Sequence, residues 1–213
     1  ASIFIEAATG DNAIIIAPGA AGHISVADVS ARRSLIAGAS VFITQLEQPL
    51  DAALHALEIA RAGGVRTILN PAPASPLPDG MLALCDYVTP NESEAELLTG
   101  RPVRTLDDAR SAAEALRRAG AGAVILTLGE RGAFYHDGVN SSLIPAFHAG
   151  PVAETTGAGD AFNGGFAAAL ARGMAPQDAV RFGCATAAIA VTRPGAAAAM
   201  PQRAEIEALL ARG

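Results

Sequence analysis

Short runs of β-type apolar residues alternate with stretches of helical spacing along this chain, and that alternation most constrains its fold. "SIFIEA", "NAIIIAP", "SVFITQLE", "VRTILNP", "DYVTPN" and "AVILTLG" read as strands. Several are apolar without a polar alternate, the pattern of parallel strands buried on both faces. Helices are expected near Leu50–Ala62, Glu92–Thr99 and Leu106–Ala119. The last is introduced by "TLDD", where Thr105 is placed to cap and Asp108 to reciprocate. Leu106, Ala109, Ala113 and Leu116 then form its apolar stripe, and Gly120 ends it. "AFYHDG" and "SSLIPAF" predict a hairpin around Asp137-Gly138. Beyond it the texture turns helical, near Asp160–Arg172, Pro176–Val191 and Arg203–Leu210. "NPAPASPLPDG" is a short proline-rich loop between two strands rather than a boundary. The 213 residues show no repeat or linker and predict one domain, 1–213, of layered α/β type with a mainly parallel sheet.

Composition removes several functional classes. A net charge of −6 with no basic run argues against a nucleic-acid surface. No apolar run approaches bilayer length and the start has no basic n-region, so neither a membrane span nor a secretory signal is expected. Cys85 and Cys184, each among apolar neighbours, read as buried free thiols of a reducing, cytoplasmic compartment. All 15 basic residues are arginine. A Walker A loop needs its lysine and a Schiff base needs an amine, so P-loop and pyridoxal chemistries are excluded. His23, His55, His136 and His148 lack metal-ligand spacing and are expected at the surface.

Polar residues collect where strands end, the edge at which open α/β sheets bind ligands. Gln45 and Glu47, Asn70, Asn91, and Thr127 with Gly129 all fall at such ends. Asn91, with Glu94 three residues on, is also a good helix cap. In "GAGD", Gly157 and Gly159 let the backbone approach a ligand, and the helix that follows offers free amides to an anion. Asp160 beside that hole would repel a passively bound phosphate. It makes chemical sense as a base that deprotonates a hydroxyl while the amides hold a transferring phosphoryl group. A plain helix cap is the competing reading, and the tetrapeptide alone leaves both open. A dinucleotide fingerprint is absent, because Phe162 stands where its third glycine belongs.

Six stretches, "QLEQPL", "LNPAPASPLPD", "DYVTPNESEAELLTG", "VILTLGERGAF", "TTGAGDAFNGGF" and "RFGCATAAIAVTRPGA", resemble the ribokinase-type carbohydrate kinase family in the same order. The resemblance covers essentially the whole chain. It implies a three-layer α/β/α fold and ATP-dependent transfer of the γ-phosphate to the 5-hydroxyl of D-ribose. It implies Asp160 as the base in contact with sugar, and Gly157, Ala158 and Gly159 as the anion hole. Glu47 matches a sugar-contacting acid. Asn91, Thr127, Leu128, Gly129, Glu130, Arg131, Gly132, Gly159 and Cys184 match the ATP site. Glu154, Thr156, Ala190, Arg193, Gly195 and Ala199 match a monovalent-cation (K⁺) site, several through carbonyls. Without lysine, phosphate charge would be balanced by Mg²⁺, the amides and Arg131. Two positions depart from the family pattern: Glu154 replaces an aspartate, and Ala199 a hydroxyl residue.

The family also carries an N-terminal part ahead of the point matching Ala1, with early strands and much of a sugar lid. The expectation is therefore a fold incomplete at its N-terminus, residues 1–20 being remnants of strands near the lid and sheet edge. The lid usually forms the family's homodimer. Two other readings stand beside ribose kinase: another sugar or nucleoside kinase of the family, and an inactive nucleotide-binding relic or split subunit.

Overall fold

The structure is a computed structural model that describes residues 2–5, 12–15 and 17–212. β1 (Ser2–Ile5) and β2 (Asn12–Ile15) pair antiparallel as a two-stranded sheet of their own. The expected runs "SIFIEA" and "NAIIIAP" extend over Glu6, Ala7 and Ile16, which lie outside the described residues. The chain forms two compact units. One holds Pro18–Leu128 and Phe134–Leu143; the other holds the described residues up to Ala17, Gly129–Ala133, and the chain from Ile144 onward.

The first unit opens with two short helices that periodicity did not announce, α1 (Val26–Ser30) and α2 (Arg33–Ala37). Neither buries a side chain, so neither has an apolar stripe to detect. Ser25 and Asp28 form a capping box at the start of α1, and Ser30 Oγ at its end lies 2.8 Å from His55 Nε2. Then come β3 (Val41–Thr44), α3 (Leu50–Ala62), β4 (Arg66–Leu69), β5 (Tyr87–Val88), α4 (Glu92–Thr99), α5 (Leu106–Arg118), β6 (Ala123–Thr127), β7 (Ala133–His136) and β8 (Ser141–Ile144). The six strands β3 to β8 lie side by side in chain order. β3, β4, β5 and β6 pair parallel, with Val41 opposite Arg66, Ile68 opposite Tyr87, and Tyr87 opposite Ala123. The links β6–β7 and β7–β8 are far too short for a parallel crossover, so these strands run antiparallel and the sheet is mixed.

The central strands are buried on both faces, as their unbroken apolar runs require: Ile68, Leu69, Val88, Val124, Ile125 and Leu126 are all inaccessible to solvent. Helix α3 presents Ala53, Ala56, Leu57 and Ala60 at helical spacing to the interior. Helix α5 does so with Ala109, Ala112, Ala113 and Leu116. Leu106, expected in that stripe, is exposed; it lies in the first turn, and Ala112 takes its place in the interior. The Thr105–Asp108 capping box forms as expected. His136, expected at the surface, is instead buried in β7, where Nδ1 meets Ser141 Oγ at 2.8 Å. A hydroxyl on the neighbouring strand removes most of the cost of burying the imidazole.

The β7–β8 turn is organised by Asp137. Its Oδ1 accepts from the amides of Val139 (2.8 Å) and Asn140 (2.6 Å), and its Oδ2 from the Tyr135 hydroxyl and the Asn140 amide group, both at 3.1 Å. Desolvation opposes ionisation, but these bonds from Asn140, Val139 and Tyr135 outweigh it and hold the carboxyl well below the usual carboxylate range.

In the second unit, α6 (Ala158–Ala171) packs on α7 (Pro176–Ala190), followed by α8 (Arg203–Leu210). Helix α6 starts two residues before Asp160, because Gly157 at φ +75° turns the chain into the helix early. The α6–α7 contact is close because two positions lack a side chain. A Cβ on Gly183 would stand 2.9 Å from the Phe162 carbonyl and 3.0 Å from its ring. A Cβ on Gly165 would collide with Thr186 Oγ1 and come within 2.8 Å of its Cβ. Thr186 cannot swing away freely, since its hydroxyl donates to the Phe182 carbonyl at 2.7 Å. Among the described residues, no helix is long and apolar enough to cross a membrane.

Two outcomes follow from this packing. Gly165→Ala should lower the stability of α6 on α7 by about 1–3 kcal/mol in urea unfolding, the usual cost of overpacking. A variant as stable as the parent would show that the helices separate freely. For Asp137 the sign is set by its depressed folded pKa: its contribution is complete above the unfolded value near ~4 and is lost as pH falls through the folded one. Asp137→Ala should therefore lose about 1–2 kcal/mol at neutral pH and show a flatter decline of stability in acid. Parallel acid profiles for variant and parent would contradict that assignment.

Candidate active site

The first turn of α6 joins "GAGD" to a helix N-terminus. Gly157 is the N-cap, in the left-handed region that disfavours side chains, and a Cβ there would press on Ala196 at 3.2 Å. Asp160 is thus the third helical residue and not the cap, so the plain-cap reading gives way. The Ala158 amide bonds the Thr155 carbonyl at 3.1 Å, and that of Ala161 the Gly157 carbonyl at 2.8 Å. Between them, the Gly159 amide has no acceptor among the described residues, and nothing lies within 4 Å of the point where a Gly159 Cβ would be. Asp160 is exposed beside that open space. An uncrowded amide at the positive end of a helix, next to an exposed carboxylate, can hold an anion and take up a proton.

Residue positions matched to a cation site come together around the same turn. Glu154 Oε1 accepts from the Gly195 amide at 2.8 Å, and the amides of Ala153 and Glu154 both donate to the Val191 carbonyl. Thr156 Oγ1 is buried with no hydrogen-bond partner, an orphan of the kind a bound cation would satisfy. The oxygens available are hard donors, the Glu154 carboxylate, the Thr156 hydroxyl and the carbonyls of the 190–195 stretch, and they fit a monovalent cation. Ala199 is buried and brings no side-chain oxygen. The Arg193 guanidinium turns to Glu205, with which it forms an ion pair. Cys184 is buried on α7, and desolvation pushes its thiol up to about 12; it is a neutral wall, not a nucleophile.

In the other unit, the carboxyl ends of β3, β4 and β5 carry a linked set of polar groups. Asn70 Nδ2 donates to the Thr89 carbonyl at 3.0 Å, and Gln45 Nε2 donates to Asn70 Oδ1 at 3.2 Å. Gln48 closes the set on Thr44 Oγ1 (2.6 Å) and the Gln45 carbonyl (2.7 Å). Thr44, Gln48 and Thr89 escaped the reading of the sequence because lone threonines and glutamines carry no motif. Glu47, next to this set in the chain, is exposed and makes no hydrogen bond among the described residues.

Asn91 and Thr127 are brought side by side as a parallel bridge between strand ends. Asn91 also caps α4, its Oδ1 accepting from Glu94 and the Glu94 carboxylate accepting from the Asn91 amide, each at 2.8 Å. Burial raises the Glu94 carboxyl against the lowering effect of that bond. Leu128 belongs to the hydrophobic core, so only its backbone can reach a ligand. Gly129–Arg131, with Glu130 exposed between them, form one tight helical turn. Gly132 follows at φ +97°, where a side chain would run into the Ile144 carbonyl and the Ala146 amide. A residue not singled out in the sequence, Asn163, is buried in α6 and donates from Nδ2 to the Gly159 carbonyl at 3.0 Å. Its signal was available: one amide in the otherwise apolar run "AFNGGFAAAL".

Comparison with known proteins shows the family and the fold. Residues 1–203 match the model of the pfkB family carbohydrate kinases. The ribokinase of Haemophilus influenzae is 42% identical over 203 residues, covering 95% of this chain and 66% of the relative. The crystal structure of ribokinase from Thermotoga maritima superimposes with a TM-score of 0.86 at 35% identity, covering 98% of this chain and 68% of that one. The ribokinase of Arabidopsis thaliana, complexed with ribose and ATP, gives 0.86 at 29% identity, covering 98% and 67%. The chain spans 66% of the length of the first curated relative it matches. With a family model matched over residues 1–203, it belongs to the pfkB family of carbohydrate kinases.

Proposed function

We propose that this chain carries ATP-dependent sugar kinase chemistry, transferring the γ-phosphoryl group of ATP to the 5-hydroxyl of D-ribose, with residues 1–213 serving as one kinase domain. The observation that carries the reading is the exposed Asp160 carboxylate at the third position of α6, beside the uncrowded Gly159 amide. The ribose- and ATP-bound relative supports the choice of substrates.

In the reaction, the sugar 5-oxygen forms a bond to the γ-phosphorus as the bond from that phosphorus to the β–γ bridging oxygen breaks. The hydroxyl proton passes to an Asp160 carboxylate oxygen, and ADP leaves. The Gly157–Gly159 anion hole, with the open Gly159 amide, faces the charge on the transferring group, in a place where preorganised donors do most for a phosphoryl transition state. Glu47 contacts sugar hydroxyls. Asn91, Thr127 and the Gly129–Gly132 loop hold the nucleotide phosphates, with Arg131 adding positive charge, and Cys184 lines the nucleotide's surroundings. Mg²⁺ bound with ATP supplies charge neutralisation that no lysine can. A monovalent cation, K⁺, would be held by Glu154, Thr156 and the carbonyls of Ala190, Arg193, Gly195 and Ala199, and would steady the 154–157 backbone.

A coupled ADP-release assay with ribose, Mg²⁺ and K⁺, run beside calorimetry with ATP, tests this. Asp160→Asn should cut turnover about 10²–10⁴-fold, the usual worth of a general base, while ATP affinity changes by a few-fold. Equal turnover by parent and variant would remove Asp160 from its role. ATP binding by the parent without any turnover would make the chain a nucleotide-binding module instead.

A further inference from the structure

We infer that Asn163 is a positioning residue for the anion hole, acting through the peptide that joins Gly159 to Asp160; this rests on the function proposed above. The Gly159 carbonyl and the Asp160 amide belong to one rigid unit, so whatever fixes the oxygen also fixes the direction of the N–H on the other side. That oxygen is held twice from the same residue. Helical geometry directs the Asn163 backbone N–H to it, and the Asn163 side chain adds a second donor at 3.0 Å.

The turn needs such a clamp. It is built on Gly157 and Gly159, the residue type with the widest backbone freedom, and nothing packs beside Gly159 to confine it. No side chain caps α6 either. The clamp itself cannot wander, because Asn163 is only 5% exposed and lies on a helix fixed against α7 by Phe162, Gly165 and Phe166. An amide buried in an apolar helix face is also a poor choice for stability alone. Leucine has as many side-chain heavy atoms, a higher helix propensity and no polar atoms to bury. Asn163 therefore supplies what leucine would not: a donor aimed at the Gly159 oxygen.

The test uses Asn163→Leu and the isosteric Asn163→Asp, which keeps the shape and loses the donor. In the full chain, ¹⁵N relaxation should give order parameters near ~0.85 at Gly159 and Asp160, falling toward ~0.6 in both variants. The affinity for inorganic phosphate, read from shifts of those two amide signals, should weaken about tenfold or more. Turnover should drop on the order of 10- to 100-fold with sugar KM nearly unchanged, as for a misplaced catalytic group. Unchanged order parameters and phosphate affinity in either folded variant would overturn the inference. So would order parameters below ~0.6 at Gly159 and Asp160 in the unmodified chain, which needs no variant to fold. If the clamp behaves as described while the parent chain turns over no ATP, the function proposed above fails and the positioning role stands.

Discussion

The close approach of α6 to α7 is the constraint from which the site follows. A side chain on Gly183 would crowd the Phe162 carbonyl and ring, and Gly165 faces Thr186 with no room for a methyl group. Interiors of this density do not deform smoothly. Once the two helices are seated, the direction of α6, and so the aim of its N-terminal amides and of Asp160, is set. The stacked Phe162 and Phe166 rings, 6.1 Å apart between centroids, fill the same face and add apolar burial to it. The geometry of the helix start therefore depends on small residues well inside it.

What could be read from the sequence was what depends on neighbours in the chain. The Thr105 and Asn91 capping boxes, the stripe of α5 and the buried strand β6 all express a local pattern, and all are present. Features decided by distant partners were harder to see. His136 looked like a surface residue until Ser141 on the next strand gave it a partner. Leu106 lies at the right spacing for the stripe of α5, but the first turn of the helix leaves it exposed. The helices α1 and α2 lacked any apolar face to betray them. At the site, "GAGD" fixed attention on Asp160. The linkage of Glu154 to Gly195, 41 residues away, has no trace in composition or spacing.

In the proposed reaction a chain without lysine would have to manage phosphate charge in another way. Lysine would bring a mobile point charge whose side-chain freedom is lost on binding. Backbone amides at a helix start are already ordered, and they would not collapse onto Asp160 as an ion pair and so quench the base role proposed for it. The cost is conformational: the turn that exposes those amides must be glycine-rich, and glycine gives up the most freedom on folding. That explains why the surroundings of the turn are so heavily tied, with Gly157 against Ala196, Glu154 on Gly195, and Asn163 on Gly159.

The Glu154 substitution can be weighed in the same terms. In the proposed cation site a longer carboxylate reaches the Gly195 amide and already uses one oxygen there. The bond organises the 193–196 loop, where Gly195 adopts φ +85°, without any ion. Thr156 Oγ1 is left buried and unpaired, a state that costs about 1–3 kcal/mol. Binding a cation would recover that cost, and the second Glu154 oxygen would carry the charge. Ala199 removes one possible ligand but leaves the carbonyls intact. The balance of these terms favours a site whose framework is assembled beforehand by Glu154 and whose affinity rests on Thr156 and the carbonyl oxygens. A bound ion would then add rigidity to the same turn that Asn163 contacts from the helix side.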